Sequence, residues 1–564
     1  MMNNKQIIIA ICLAFSQMIW AQNESDNLGV QEVQITDFFI PEIPVSSKIE
    51  SIPTLKDTIQ TSHRINFYPL TKPYDGKLAL EPIKAAKIKG QSVPKIHRAY
   101  VYGGVGNMSM PTSRFYYNSD RDRKIIYGLE LGYVESYSKI KSSFTKLQKV
   151  SAAFRETDFA LYAKTDTDFG VLSAYASRMG RQYQAYGYDP QIYNLEESLS
   201  QQYWGYSSLS LSLQSKETDK NKLRYHTKLF TYDLNEFTEN SIVWSLNLKQ
   251  SVNEHDYSLG ISLDYDVNNH SNKYRFADSL SKETIFRLTP SLSKEIYGGV
   301  LDVGLDLMSV DTRDSASVSI SIFPAVNYSY IFSPNYLKAS IGIRGSLEDN
   351  SYWTLSQINP FILNALPHDG GSLTIVNSKT IYDAYVGLST YLGYKLQLFA
   401  ECSYARVLDM PFFELDNLSS YKNKFLVGYD DVNHLHSHAT IQWQISEKSK
   451  IDLTVDYHQY KTDSLQSFAY KPSFKTHLKA QYNIGDKILP HIEFFTSINR
   501  SHNDNTSSAL ELKNIIDFNV FLEYVYNSNI SAYFKGYNLI GGYQIWEHYP
   551  VLGPKVFFGL SFKL

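Results

Sequence analysis

The sequence is poor in cysteine: its 564 residues include two, Cys12 and Cys402. Cys12 lies in an apolar leader at the start of the chain, so the remaining chain offers no pair for an intramolecular disulfide and no cysteine-based metal site. Cys402 falls in an alternating strand pattern, and we interpret it as a small packed residue.

An excess of charge of one sign is also missing. The chain has 54 Lys and Arg residues against 57 Asp and Glu residues, for a net charge of −3. A nucleic-acid-binding protein normally carries a large positive excess. We therefore expect no nucleic-acid partner.

Long hydrophobic runs are confined to the beginning of the chain. Residues 1–21 contain Lys5, then the apolar run 7–15, and end at Ala21, which is the pattern of a secretory signal peptide. Lipidation of Cys12 is not expected, because the motif requires a small residue before the cysteine. Beyond residue 21 no run reaches the ~18–20 apolar residues that a spanning helix requires. An exported soluble protein and a β-barrel are both compatible with these features.

The rest of the chain shows a regular alternation of apolar and polar residues. Between Tyr257 and Val267 every odd-numbered residue is apolar and every even-numbered residue is small or polar. This period of two predicts a strand with one apolar face and one polar face. The pattern recurs at 209–214, 242–249, 301–307 and 516–524. Strands of ~10 or more residues favour a transmembrane barrel over a sandwich.

The connectors support the same fold class. We place 22 strand candidates, with a range of 18 to 22, between residues 99 and 564. Short connectors such as 295–297 and 446–450 alternate with long ones such as 347–379 and 407–433. Short turns on one side and long loops on the other are typical of outer-membrane barrels, with the short side in the periplasm. The prediction is an all-β, transmembrane antiparallel β-barrel over residues 97–564.

The chain ends on an amphipathic strand, because every even-numbered residue of 558–564 is apolar. We expect the barrel-assembly machinery to recognise such a strand during insertion, whereas at the edge of a soluble sheet it would promote aggregation. Aromatic residues are abundant, with 44 Tyr, 30 Phe and 6 Trp. Tyr265, Tyr457 and Tyr524 lie on the apolar faces of predicted strands, toward the strand ends. An aromatic girdle at these positions would contact outer-membrane lipids.

Two segments at the ends of the predicted barrel carry motifs. They are Pro94-Lys95, Arg98, Tyr100-Val101, Gly104, Gly106-Asn107 and Pro111, and Tyr537-Asn538-Leu539, Tyr543, Trp546, Tyr549-Pro550, Gly553 and Phe562-Lys563-Leu564. The second segment resembles the last hairpin of TonB-dependent receptor barrels, and the first resembles the opening strands of plug-less outer-membrane barrels related to them. This resemblance implies a 22-stranded barrel and identifies no substrate.

The segment before the barrel departs from those receptors, in which a folded plug domain precedes the barrel. Residues 22–96 hold seven of the 19 prolines and show little periodicity. We predict a Pro-rich, extended and mostly irregular tail in the periplasm or lumen, too short for a complete plug.

A barrel of this size needs something to close its lumen. The candidates are the tail 22–96, the loops 347–379 and 407–433 folding inward, or a separate protein. Tyr352, Trp353 and Phe361 make the loop 347–379 more apolar than a solvated loop requires. Insertion into the lumen and capping of the rim are equally compatible with that composition.

Four histidines are the metal-ligand candidates. His434, His436 and His438 share the polar face of one predicted strand. His458 would lie opposite His438 in a hairpin whose short turn is centred on Lys448. Imidazoles bind zinc and copper. However, alternate residues of a strand lie ~7 Å apart, and no cysteine or nearby carboxylate completes a coordination shell. We therefore expect solvated lumen histidines and no cofactor.

One acid–histidine grouping could indicate an enzymatic role. Asp430, Asp431 and His434 are close enough in sequence to serve a barrel hydrolase. Adjacent aspartates in loops are usually only solvated, and no phosphate-binding loop or nucleophile elbow is present. We expect no enzyme and assign no catalytic residue.

The sequence predicts an outer-membrane β-barrel with a porin-like or receptor-like role in solute passage. The alternative is a barrel anchor or assembly module that binds a periplasmic or surface protein without transport. In that case a periplasmic partner would bind through residues 22–96.

Overall fold

The structure is a computed structural model, and the residues it describes are 97–120, 124–145, 147–193, 200–217, 222–234, 239–252, 257–270, 281–312, 317–333, 337–363, 375–393, 395–416, 421–465, 467–503 and 509–564. The predicted signal peptide at 1–21 and the predicted tail at 22–96 lie outside these residues.

The described residues form strands and one short helix, α1 (Tyr352–Ile358). The strands are β1 (Ala99–Gly106), β2 (Met110–Asn118), β3 (Ile125–Ser136), β4 (Lys139–Lys141), β5 (Lys149–Ser151), β6 (Phe154–Thr167), β7 (Gly170–Gln184), β8 (Gln201–Gln214), β9 (Arg224–Leu234), β10 (Glu239–Val252), β11 (Tyr257–His270), β12 (Ser281–Ile296), β13 (Gly299–Thr312), β14 (Ser317–Ser333), β15 (Leu337–Glu348), β16 (Ser378–Leu392), β17 (Leu396–Leu415), β18 (Phe425–Ser446), β19 (Ser449–Thr462), β20 (Phe474–Tyr482), β21 (Ile488–Ile498), β22 (Arg500–Asn503), β23 (Ala509–Leu512), β24 (Ile515–Val525), β25 (Ile530–Tyr537), β26 (Gln544–Trp546), β27 (Tyr549–Pro550) and β28 (Lys555–Lys563). Among the described residues, no helix has the length and apolar character to cross a membrane.

Most of these strands belong to one closed antiparallel barrel of 22 strands. The ring closes because β1 pairs with β2 on one side and with the C-terminal strand β28 on the other. The remaining strands form three small hairpins, β4–β5, β22–β23 and β26–β27, inside long connectors. The predicted fold class and the strand count are confirmed.

The outer face of the barrel is apolar. On β14, Ile320 and Ile322 are 76% and 64% exposed, and on β28 Phe558 is 60% exposed. Large apolar side chains in such rows indicate contact with lipid rather than with water. Cys402 is also exposed, and its neighbour Tyr404 on the same face of β17 is 47% exposed. The interpretation of Cys402 as a packed residue is therefore wrong, because alternation identifies a strand without telling which face meets the lumen.

Connector length differs between the two ends of the barrel, as predicted. Residues 168–169, 297–298 and 447–448 form tight turns at one end, whereas 349–377 and 538–554 are long connectors at the other. With both termini of the even-stranded barrel on the short-turn side, that side is periplasmic and the long connectors are extracellular.

One predicted loop is mostly strand. Within 407–433, β17 continues to Leu415 and β18 begins at Phe425. β18 has 22 residues, about twice the ~9–11 that cross a bilayer, so its first half extends beyond the membrane. The polar and aromatic residues of 407–433 conceal this strand because the extension packs against other connectors rather than against lipid.

Candidate functional site

The extracellular connectors pack together over the mouth of the barrel. With the adjoining strand ends they form one apolar cluster, here called the loop cover. Its buried members are Ala185, Trp204, Tyr206, Leu234, Tyr352, Trp353, Leu355, Phe361, Ile362, Phe413, Phe425, Ala469, Tyr470, Trp546 and Tyr549. Of the two arrangements that the apolar loop 347–379 allowed, the described part, 347–363 and 375–379, shows its apolar residues in this cover.

The segment after α1 crosses the mouth. The side-chain amide of Gln202 on β8 donates to the carbonyl oxygen of Ile362 over 2.9 Å. On the other side, Ile362 forms a parallel bridge with Phe425 of β18, and the Leu363 backbone N–H donates to the Phe425 carbonyl over 2.7 Å. Nine strands separate β8 from β18 in one direction around the ring and eleven in the other. A segment bonded to both must therefore span the opening.

Tyr549 lies at the centre of the loop cover and is 1% exposed. Its ring stacks on Phe361 with centroids 4.0 Å apart, and its hydroxyl donates to the Asn423 carbonyl. A side chain at position 187 would collide with this ring, because a Cβ on Gly187 would lie 2.4 Å from the ring carbon Cε2. Burial raises the pKa of Tyr549 well above its usual value, so the hydroxyl stays a donor at physiological pH.

The helix α1 is fixed at its N-terminus by two side chains. Ser351 caps the helix and accepts a hydrogen bond from the Thr354 N–H over 3.1 Å. Glu239, at the start of β10, accepts from the Tyr352 N–H over 2.7 Å and from the Tyr232 hydroxyl over 2.7 Å. A fully buried carboxylate thus ties the cover to the barrel wall.

Below the loop cover, the lumen wall is charged. Arg114 and Arg181 converge on Asp158, at 3.6 Å and 2.7 Å. On the opposite arc, Arg344 bonds Asp383 at 2.8 Å and Glu401 at 2.7 Å. Such a wall suits the passage of a polar or charged solute.

The predicted histidines meet on this wall. His434 Nε2 lies 3.1 Å from His458 Nδ1, and the His436 and His458 rings stack with centroids 4.4 Å apart. Asp456 joins them, since its Oδ1 lies 3.2 Å from His436 Nε2 and 2.7 Å from His438 Nδ1. We call these five residues the histidine cluster.

The register of the β18–β19 hairpin differs from the predicted one. His436 pairs with His458 and His438 pairs with Asp456, so the predicted opposition of His438 and His458 is wrong. The turn consists of residues 447–448, and the pairing is irregular next to Ser446. The observed register is therefore shifted by two residues from the predicted one. The expectation that no carboxylate lies near is wrong for the same reason. The alternation of Asp456 with His458 was the sequence signal that could have identified it.

The acid–histidine grouping proposed for a hydrolase does not assemble. Asp430 accepts from the Ser464 and Leu465 N–H groups, each over 3.2 Å, and Asp431 accepts from the Asp409 N–H over 3.0 Å. Asp430 therefore holds the β19–β20 connector and Asp431 holds the irregular part of β17, whereas His434 contacts His458.

Comparisons with known proteins support the fold. No family model and no curated protein matches the sequence. The pyoverdine outer-membrane receptor of Pseudomonas aeruginosa PAO1 superposes with a TM-score of 0.60 at 10% identity, over 84% of this chain and 79% of the receptor. An iron transporter of Neisseria meningitidis gives 0.62 at 9% identity, over 84% and 83%. A copper transporter gives 0.59 at 12% identity, over 84% and 81%.

These solved structures have the barrel that the terminal motifs of the sequence resemble. At these identities the likeness concerns the fold. The chain therefore folds as an outer-membrane β-barrel of the kind found in TonB-dependent receptors.

Proposed function

We propose that the protein passes a polar or charged solute across the outer membrane through its barrel, with the loop cover as the extracellular gate. The observation that carries this proposal is the segment around Ile362, bonded to β8 and to β18 across the mouth. A cover of connectors above a charged wall is an arrangement that closes a pore and can open it. A barrel used only as an anchor would need neither.

The solved neighbours support the same role. They include a receptor bound to pyoverdine, an iron transporter and a copper transporter. In a plugged receptor a separate plug domain closes the barrel. We propose that the loop cover closes this barrel instead, and that residues 22–96 are a tail.

Single-channel conductance in planar bilayers tests the proposal. We expect low conductance for the full chain and frequent openings for a Phe361→Ala/Tyr549→Ala variant. Tyr297→Ala is a matched control, because Tyr297 lies in a periplasmic turn and is 93% exposed. Each variant is also measured without residues 22–96, so that closure by the tail is distinguished from closure by the cover. If neither change produces conductance or solute uptake, the transport function is refuted.

Binding of a protein partner stays the alternative. One solved neighbour is a receptor in complex with a pyocin, which shows that a barrel of this fold can bind a protein. A pull-down with residues 22–96 as bait tests for a periplasmic partner. A stoichiometric partner combined with unchanged solute uptake on gene deletion would favour the anchor over transport.

A further inference from the structure

The histidine cluster is a group of ionisable side chains that the gate does not use. Its members lie on the inward faces of β18 and β19, opposite the lipid-facing Trp443 and Tyr457, which are 45% and 41% exposed. His436 and His438 keep 31% and 28% of their side-chain surface exposed. The cluster is therefore accessible from the lumen and is built on two paired strands rather than on loops.

We propose that His436, Asp456 and His458 bind a divalent transition-metal cation, of the zinc or copper type, on the lumen wall. His434 and His438 flank these three and contact two of them, His434 at His458 and His438 at Asp456. Two nitrogens and one carboxylate oxygen form a donor set suited to zinc, copper or nickel rather than to magnesium or calcium. This inference is independent of the gate, because a cation can bind whether or not a solute passes.

The geometry supports one shared ion. One ligand atom from each of His436, Asp456 and His458 lies within 4.8 Å of the others. In a tetrahedral site with metal–ligand bonds of ~2.0–2.1 Å, neighbouring ligand atoms lie ~3.3 Å apart. The His436–Asp456 separation is already 3.2 Å, whereas the stacked His436 and His458 rings would have to turn out of their parallel arrangement to direct one nitrogen each at a shared ion.

Histidines on one strand are too far apart to bind the same ion, but the pairing of two strands brings ligands closer together. Alternate residues of β18 are too far apart to share an ion, but His436 faces His458 directly across the hairpin. Cross-strand pairs approach to ~4.5–5.5 Å between Cβ atoms, within the reach of two imidazoles on one ion. Asp456 then approaches diagonally from the next inward position of β19.

The charges around Asp456 indicate that its carboxylate is directed to the imidazoles. Lys475 lies opposite Asp456 across the β19–β20 pair. Nevertheless, Oδ1 of Asp456 contacts both His436 and His438. Glu401, which pairs with His438, is engaged by Arg344 over 2.7 Å. Asp456 therefore directs its carboxylate at two of the histidines, whereas Glu401 is held by Arg344.

With His434 and His438 outside the coordination shell, the three protein ligands leave a fourth position open to the lumen. Closed four-ligand sites are structural, whereas a site with three protein ligands binds water or another molecule at the fourth. The proposed site would therefore present its cation to water or to a molecule in the lumen at that fourth position.

Zinc titration of the purified full chain in detergent tests the proposal, with the protein prepared without a polyhistidine tag. We expect one Zn²⁺ per chain by isothermal titration calorimetry. His436→Ala and His458→Ala should each weaken binding at least ~10-fold, and Asp456→Asn should weaken it less than the double histidine variant. Cu²⁺ loading should give an electron paramagnetic resonance spectrum with nitrogen coupling that the double variant loses.

The matched control is His226→Ala, because His226 on β9 faces Asn247 rather than a histidine or carboxylate. Its Zn²⁺ affinity should equal that of the unchanged protein. Faster migration of unheated samples on denaturing gels verifies that each barrel is folded. If folded His436→Ala/His458→Ala protein binds Zn²⁺ as the unchanged chain does, or if the unchanged chain binds none, the site is refuted. Zinc binding without any solute uptake would sustain the site and refute the transport function.

Discussion

The loop cover can be weakened at one ring. Phe361 is 8% exposed, and its ring stacks on Tyr549 at 4.0 Å and meets the edges of the Tyr186 and Tyr183 rings at 6.0 Å and 6.4 Å. Removing a buried phenylalanine side chain costs about 3–5 kcal/mol. The ring lies in the cover and reaches the barrel wall at Tyr183, near the extracellular end of β7, so we expect this cost to fall on opening of the cover rather than on unfolding of the barrel.

Each ~1.4 kcal/mol shifts an equilibrium tenfold. Phe361→Ala should therefore raise the opening equilibrium of the cover by roughly 10²- to 4 × 10³-fold. Amide hydrogen exchange followed by mass spectrometry measures this opening, because protected amides exchange through local opening. We expect accelerated exchange in peptides covering 349–363 and 543–551, with little change in peptides from β12 or β13.

The aromatic stack contributes separately from the buried area. A double-mutant cycle of Phe361→Ala and Tyr549→Ala should give a coupling of about 0.5–1.5 kcal/mol. Tyr297→Ala removes an equally large but 93% exposed ring, and it should leave exchange in the cover unchanged. Unaltered exchange of 349–363 in Phe361→Ala, or equal acceleration throughout the barrel strands, would refute the assignment of this ring to a separable cover.

Three further changes test other parts of the structure. Glu239→Gln should weaken the attachment of α1 by about 1.5–3 kcal/mol, since it removes the charge from a doubly bonded acceptor, and exchange of the α1 amides measures this. Asp120→Asn should change the melting temperature little, because its ion pair with Arg98 is solvated, with side chains 36% and 65% exposed, and such pairs contribute less than ~1 kcal/mol. A large melting shift would contradict that solvated environment. A spin label on Cys402 should be more accessible to oxygen than to a water-soluble nickel complex, because this face of β17 is exposed to lipid. Equal or greater accessibility to the nickel complex would contradict that assignment.

The barrel could be predicted from the sequence because its main determinant is local. An apolar side chain at every second position, as between Tyr257 and Val267, follows directly from a wall with lipid on one side. The turn after β12, predicted at 295–297 and observed at 297–298, follows to within two residues from the break between these patterns. The membrane thus imposes a periodic constraint on each strand separately, and one sequence is enough to detect it.

The loop cover could not be predicted because its contacts join distant parts of the chain. Gln202 and Ile362 meet only after the ring has closed, and the composition of 347–379 was compatible with two placements. The histidine cluster lies between these cases. The histidines of β18 were evident, but the identity of their partner depends on the hairpin register, and a shift of two residues replaces His458 by Asp456 opposite His438.

The cover and the histidine cluster are joined by a stack of rings. Phe468, in the connector between β19 and β20, lies 5.3 Å from Tyr460, which stacks on His434 at 4.5 Å. The segment 349–363 is bonded to β8 and β18 through Ile362 and takes no part in this stack. Tyr470, in the same connector as Phe468, packs on Phe425 at 5.7 Å, and Phe425 bridges Ile362. The segment 349–363 and the β19–β20 connector therefore meet at Phe425. If the cover is the gate, the connector that carries Phe468 is the part joined by aromatic rings to the lumen wall where a cation would bind.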